Sequence, residues 1–215
     1  MFVCCCSEDQ QAVEVPILQL GSALEGKDGP CQRQSPDPSK ELALRFVKTP
    51  KTDSVGLAVD FYDGEKLHIS DVGLGLADDY NKACDPKQQV RVGDYVICVN
   101  GISGHAGEML KSMKSEKEVE LVIRRPLEWT VKLERDAANG LGMKLGWSIQ
   151  SRSCVIIALS EGPVTAWNAH HPHEAIRLND RIIRVNDQPG RCTELLAHMQ
   201  RSSTCELTLS RPAPL

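Results

Sequence analysis

Val92-Gly93-Asp94-Tyr95-Val96-Ile97-Cys98-Val99-Asn100-Gly101 is answered 86 residues later by Leu178-Asn179-Asp180-Arg181-Ile182-Ile183-Arg184-Val185-Asn186-Asp187. Each run sets a short apolar stretch between an acidic turn and an Asn-led turn, the pattern of a brief strand held at both ends. A pattern met twice at a fixed spacing decides the architecture before any single element is read: the chain holds two copies of one unit. The same offset returns downstream, where Glu120-Leu121-Val122-Ile123 aligns with Glu206-Leu207-Thr208-Leu209, and each leads to an Arg-Pro pair at Arg125-Pro126 and Arg211-Pro212. Upstream, Gly56-Leu57-Ala58-Val59 pairs with Gly140-Leu141-Gly142-Met143 at an offset of 84, a difference assigned to a loop.

Within each repeat the apolar period changes in the same order. Leu42, Leu44 and Phe46 alternate as in a half-buried strand, and Val131 and Leu133 do so after Trp129. Strands are expected at 57–61, 67–72, 95–99 and 119–123, with counterparts at 143–147, 154–159, 181–185 and 205–209. Ala106, Met109, Leu110 and Met113 have helical spacing, as do Cys192, Leu195, Leu196 and Met199, which predicts one amphipathic helix per repeat. Shorter helices are expected at 77–83 and, after the Gly162-Pro163 start signal, at 164–169.

With 215 residues the chain has room for two units of about 90 to 100 residues, each with its own core. Aromatic residues make up 4% of the chain against 41% apolar residues overall, so those cores must be mainly aliphatic. A net charge of -4 with both signs interspersed gives no electrostatic footprint for nucleic acid. No apolar run approaches the roughly 20 residues that cross a bilayer, and no secretion signal is visible at the N-terminus, so a cytoplasmic protein is expected. The nine cysteines are odd in number, and Cys98, Cys154 and Cys205 sit in apolar runs where a reduced thiol packs as a small hydrophobe; no structural disulfide is expected. Residues 1–39, rich in Glu, Gln, Ser and Pro, read as a disordered tail, with a short apolar run at Val13, Val15, Ile17 and Leu20 that Pro16 limits to an edge strand. The tail carries three adjacent thiols, Cys4, Cys5 and Cys6, a candidate S-acylation cluster for the cytoplasmic face of a membrane.

Strand, Gly-Leu turn, two strands, short helix, Gly-Asp strand, long helix, final strand: in this order each repeat resembles the PDZ family, over residues 40–126 and 128–212. The resemblance implies a mainly β fold with α, as two PDZ-like, partly open β-barrels or sandwiches of about five to six strands and two helices each. It also implies a scaffold or adaptor function, in which the carboxyl-terminal tail of a partner adds as an antiparallel strand beside the long helix. The terminal carboxylate would lie on backbone amides of the turns at Gly56, Leu57 and Ala58 and at Gly140, Leu141 and Gly142, with Lys51 and Arg135 adding charge. On the same resemblance, the pocket for the last side chain is lined by Leu57, Val59, Phe61, Leu110 and Met113 in the first unit. In the second it is lined by Leu141, Met143, Leu145, Leu196 and Met199. The residue that starts the long helix reads the ligand two places upstream, and there stand Ala106 and Cys192, which favour an apolar-x-apolar terminus. A one-residue shift would put His105 there and favour Ser or Thr instead. Ala58, in place of a second glycine, is expected to narrow the first carboxylate site, and Asn179 and Asp187 stand where the family has glycine.

Enzymatic readings fare poorly. Cys154 or Cys192 with His198 lacks the orienting group and oxyanion turn of a hydrolase. His170-His171-Pro172-His173 lacks the ligand spacing of a zinc module, and no metal or cofactor is expected. Gly140-Leu141-Gly142 precedes a strand and has no third glycine, which excludes a dinucleotide fingerprint. The alternatives to an adaptor are a regulatory subunit of a protease and a self-assembling structural protein.

Overall fold

The computed structural model describes residues 40–136, 140–148 and 151–214. The first half runs β1 (Glu41–Val47), β2 (Leu57–Asp60), β3 (Leu67–Val72), α1 (Leu76–Ala83), β4 (Tyr95–Val99), α2 (Ala106–Ser115) and β5 (Glu118–Arg124). The second repeats it as β6 (Pro126–Glu134), β7 (Met143–Gly146), β8 (Cys154–Leu159), α3 (Pro163–His170), β9 (Arg181–Val185), the short β10 (Gln188–Pro189), α4 (Cys192–Arg201) and β11 (Thr204–Pro212). Each half is one antiparallel sheet, ordered β1-β5-β4-β3-β2 and β6-β11-β9-β8-β7, with β10 paired to β9; neither sheet closes into a barrel. The expected tail, with Cys4, Cys5, Cys6 and the run from Val13, lies outside the described residues.

Alternation does what it should. In β5 Val119, Leu121 and Ile123 point inward and are at most 1% exposed, while α2 buries Ala106, Met109 and Met113 at helical spacing. Two aliphatic clusters result, one under each sheet.

The repeat extends to its polar fastenings. Asn81 donates from Nδ2 to the Val90 carbonyl and accepts from the Val90 amide, both at 2.8 Å, and Asn168 makes the same pair with Ile176 at the same distances. Asp94 accepts from the Arg91 amide and pairs with Arg125, as Asp180 does with the Arg177 amide and Arg211. Asn179 and Asp187 hold φ of 67° and 59° where Gly93 and Gly101 hold 95° and 82°. Asn and Asp tolerate that left-handed conformation better than other side chains, which is how the second repeat dispenses with glycine there.

One expectation is overturned. Cys154, the first residue of β8, and Cys192, the first of α4, form a disulfide. Packing brings their Cα atoms to 5.2 Å, within bridging range, and spacing along the chain carries no hint of it. Neither sulfur is then a free nucleophile, which removes the hydrolase reading on its own terms. Closing a loop of 38 residues stabilises the second unit by about 4 kcal/mol in the chain-entropy account. Cys98 and Cys205 are buried in the apolar runs, as expected.

Only Arg125 stands between β5 and β6, and its backbone is tied to both sheets: its amide donates to the Lys40 carbonyl and its carbonyl accepts from the Ala213 amide, each at 2.9 Å. Beyond this joint the halves share a buried polar seam. Tyr95 and Arg181 occupy equivalent places in β4 and β9, and both are buried in it. Tyr95 Oη lies 2.9 Å from Ser210 Oγ. Arg181, with no exposed surface, reaches Asp60 Oδ2 at 3.0 Å and Asp63 Oδ2 at 3.4 Å, and donates to Ser153 Oγ at 3.1 Å. Burial works to raise the Asp60 carboxyl, but the Arg181 charge, with hydrogen bonds from Ser151 and the Tyr62 amide, holds it below its ordinary value. Neighbouring His68 is pushed down to about 3, by burial first and by Arg181 second, and stays neutral. Tyr62 lies so close against Gly146 that any side chain there would collide with its ring.

Candidate functional sites at two sheet edges

β2 and β7 are terminal strands of their sheets, so each has one side unpaired by any described strand. An unpaired edge is a template for another strand, and these two are only four residues long. The long helix of each unit supplies the second wall. Leu57 and Val59 of β2 share the first apolar cluster with Leu110 and Met113 of α2, and Met143 and Leu145 of β7 share the second with Leu196 and Met199 of α4. Leu57, Val59, Leu110, Met143, Leu145 and Leu196 are half-buried, whereas Met113 and Met199 are nearly covered. Of the predicted pocket residues, Leu57, Val59, Leu110 and Met113 share one cluster and Leu141, Met143, Leu145, Leu196 and Met199 the other, whereas Phe61 is exposed beyond the end of β2 and outside the cluster. Along the outer flank of α2, Gly107, Leu110, Lys111, Lys114 and Ser115 line a shallow hollow of about 450 Å³.

The turn that starts each edge strand revises the alignment. Gly56 has φ of 81° and packs so tightly that an added Cβ would sit 2.7 Å from the Gly73 carbonyl oxygen; its own carbonyl accepts from the Gly73 amide at 2.8 Å. Gly142 has φ of 77°, a Cβ there would sit 2.9 Å from the Ser160 carbonyl oxygen, and its carbonyl accepts from the Ser160 amide at 2.9 Å. The preceding carbonyls match too: Val55 accepts from Ala77 at 2.9 Å and Leu141 from Val164 at 3.1 Å. Gly56 thus corresponds to Gly142 and not to Gly140, at the same 86-residue offset that relates β4 to β9 and α2 to α4.

Three consequences follow from that register. Ala58 corresponds to Lys144 and lies exposed within β2, not in the turn, so it does not narrow the carboxylate site. Val55, 5% exposed, is the first unit's counterpart of Leu141 at 9%, and sequence comparison missed it. Phe61 corresponds to Trp147, as the paired strand runs 57–61 and 143–147 implied, though Trp147 was not among the candidate site residues. Carrying the 86-residue offset upstream would have found Val55; the matching Gly-Leu pair at 84 was the distraction.

The charged candidates also separate. Arg135 donates from Nη1 to the Gln200 carbonyl at 2.9 Å, near the end of α4. Its equivalent is Lys48, which donates to the Met113 and Lys114 carbonyls at 2.8 and 2.6 Å at the end of α2. Both satisfy carbonyls that a helix end leaves unpaired. Lys51 is exposed in the loop before β2. At the helix starts Ala106 and Cys192 are 0% and 1% exposed, Cys192 is tied up in the disulfide, and His105 is the exposed N-cap of α2. His170, His171 and His173 line the outside of α3 and the turn after it, and among the described residues no group of three or more His, Cys, Asp or Glu is placed to hold a metal.

No protein-family model and no curated protein matches the chain. Among solved structures it is similar to INAD PDZ45 in complex with NG2 peptide, at 19% identity and a TM-score of 0.37, covering 85% of this chain and 95% of that one. It is similar also to INAD PDZ45 with NORPA CC-PBM, at 18% identity and a TM-score of 0.36, covering 83% and 94%. A choanoflagellate SHANK1 PDZ domain bound to GIRK3 peptide matches at 11% identity and a TM-score of 0.34, over 41% of this chain and 96% of that one. It is the element order, the strand order and the duplicated turns of the two halves that make this chain, in fold, a tandem of PDZ-like units.

Proposed function

We propose that the chain is a non-enzymatic adaptor whose two units, residues 40–126 and 128–212, each capture the carboxyl-terminal tail of a partner protein. One observation carries this reading: in both halves an unpaired edge strand, opened by a left-handed glycine, runs beside an apolar helix face. A tail added to β2 or β7 completes the sheet through its backbone, while its last side chain enters the half-buried aliphatic wall. The carboxylate falls at the turn before the strand, on Gly56 and Leu57 in one unit and Gly142 and Met143 in the other. The aliphatic lining, with Val55 and Leu141 behind it, suits an apolar terminal residue. Lys51 and Arg135 remain candidates for added charge, Arg135 once released from Gln200.

The test is a library of free carboxyl-terminal peptides against the full chain. Tails ending in an apolar residue are expected to bind near micromolar, about 8 kcal/mol. Amidating the terminus should then weaken binding at least tenfold, and unchanged affinity would mean that the carboxylate is not what the turns hold.

The same reading sets the adaptor at the cytoplasmic face of a membrane through S-acylation of Cys4, Cys5 and Cys6, since two or more acyl chains anchor stably where one does not. No helix among the described residues is long and apolar enough to cross a membrane. Changing the three cysteines to serine is expected to move the full-length protein from the membrane to the soluble fraction in cells. Hydroxylamine should do the same to the unaltered protein. Equal partition of both forms removes the membrane from this account.

A further inference from the structure

Three large aromatic side chains are exposed among the described residues, Phe61, Tyr62 and Trp147; Tyr62 touches Gly146 of the other half, and Phe61 and Trp147 are the chain neighbours of that contact. Phe61 and Tyr62 follow the last residue of β2, and Trp147 follows the last residue of β7. Tyr62 packs on Gly146, the end of β7, and Asp60, the end of β2, receives a hydrogen bond from Ser151 in the loop leaving β7. The helix starts join at the same place. The Ala106 amide donates to the Gly64 carbonyl at 2.9 Å and the Cys192 amide to the Ser151 carbonyl at 3.0 Å, so in each unit the start of the long helix is tied to the loop that meets the other unit.

Direction then matters. A tail lying antiparallel to β2 has its carboxylate at Gly56 and runs upstream toward Phe61, and a tail on β7 runs from Gly142 toward Trp147. At about 3.3 Å per residue, each clears its groove after about four or five residues. The carboxylate ends are therefore at the far ends of the two grooves, while the upstream ends emerge together over the seam. Arg181, Asp60 and Asp63 lock that seam, and with only Arg125 between the sheets the two outlets keep one spacing.

We propose that the partner of this tandem is a two-chain protein, a parallel dimer whose paired carboxyl termini enter the two grooves together while their upstream segments, side by side, rest on Phe61, Tyr62 and Trp147. This rests on the tail-capture reading above. Parallel helices in a dimer run about 8–10 Å apart and deliver two like ends at one point, which matches two outlets meeting at a Tyr-Gly contact. Exposed aromatic side chains at that point supply the anchors that protein interfaces favour. Two tails of micromolar affinity then gain by effective concentration, because the second enters as an intramolecular event.

The experiment uses the full chain and the tightest single tail from the peptide library. That tail is made alone, and as a pair joined at the amino ends through the two carboxyl groups of N-acetylglutamate, with one glycine per arm, leaving both terminal carboxylates free. The pair is expected to bind at least about 100-fold tighter than the single tail, as a one-to-one complex by sedimentation. Amidating one arm should return it to the single-tail affinity, and Trp147→Ala should lose more affinity for the pair than for the single tail. A pair that gains no more than about twofold, the statistical factor, or that bridges two protein chains, overturns the proposal while leaving tail capture intact. Failure of every single free-carboxylate tail to bind takes down the tail-capture reading, and this proposal with it.

Discussion

Arg181→Ala is expected to destabilise the chain by about 3–5 kcal/mol, the range for removing one partner of a buried ion pair. The Arg181 side chain is 0% exposed, and those of Asp60 and Asp63 are 6% and 2%, so the substitution leaves two carboxylates out of water with no cation beside them. Much of the loss is this stranded charge rather than the attraction itself. Arg181→Met combined with Asp60→Asn and Asp63→Asn is therefore expected to recover most of the stability, because the charges go together and the volume is largely kept. Urea denaturation of the three proteins measures the effect. NMR relaxation adds a second readout: the two halves of the unaltered chain should share one rotational correlation time, and in Arg181→Ala they should begin to differ. A loss below about 1 kcal/mol, the surface-pair range, would mean that the seam opens to water and that the halves are not locked by it.

Gly56→Ala should cost about 2–4 kcal/mol and abolish tail binding in the first groove, leaving the second groove unaffected. Two penalties combine. The left-handed φ of 81° disfavours a side chain by about 1 kcal/mol, and a Cβ 2.7 Å from the Gly73 carbonyl oxygen and 2.9 Å from that of Leu74 forces backbone apart. Gly101→Ala separates the two. Its φ of 82° is nearly the same, but nothing lies within 4 Å of the added Cβ, and Asp187 at the equivalent turn already carries a side chain. Gly101→Ala is expected to lose only about 1 kcal/mol and to bind tails normally. Equal losses from both substitutions, by denaturation midpoint, would show that the close approach of the turn to the β3–α1 connection contributes nothing.

Whatever is local and periodic in this protein was legible from its residues. Strands at 67–72, 95–99, 154–159 and 181–185 and the two amphipathic helices follow from spacings of two and of three to four, because side-chain direction in a strand or helix is set by the backbone repeat alone. Duplication then supplied the division into two units without reference to any contact. The partners of a residue distant in sequence are another matter. The pairing of Cys154 with Cys192, the burial of Arg181 against Asp60 across 121 positions, and the alignment of Gly56 with Gly142 each depend on which surfaces meet in space. Arg181 stands in the same strand position as Tyr95, and nothing in its neighbours announces that it lies inside a seam. A charged residue at that place reads as solvent-facing until the second sheet is packed beside the first. Only the tertiary structure decided, for the same reason, that the ends of β2 and β7 meet, since no periodicity along one chain segment encodes where the end of another will lie.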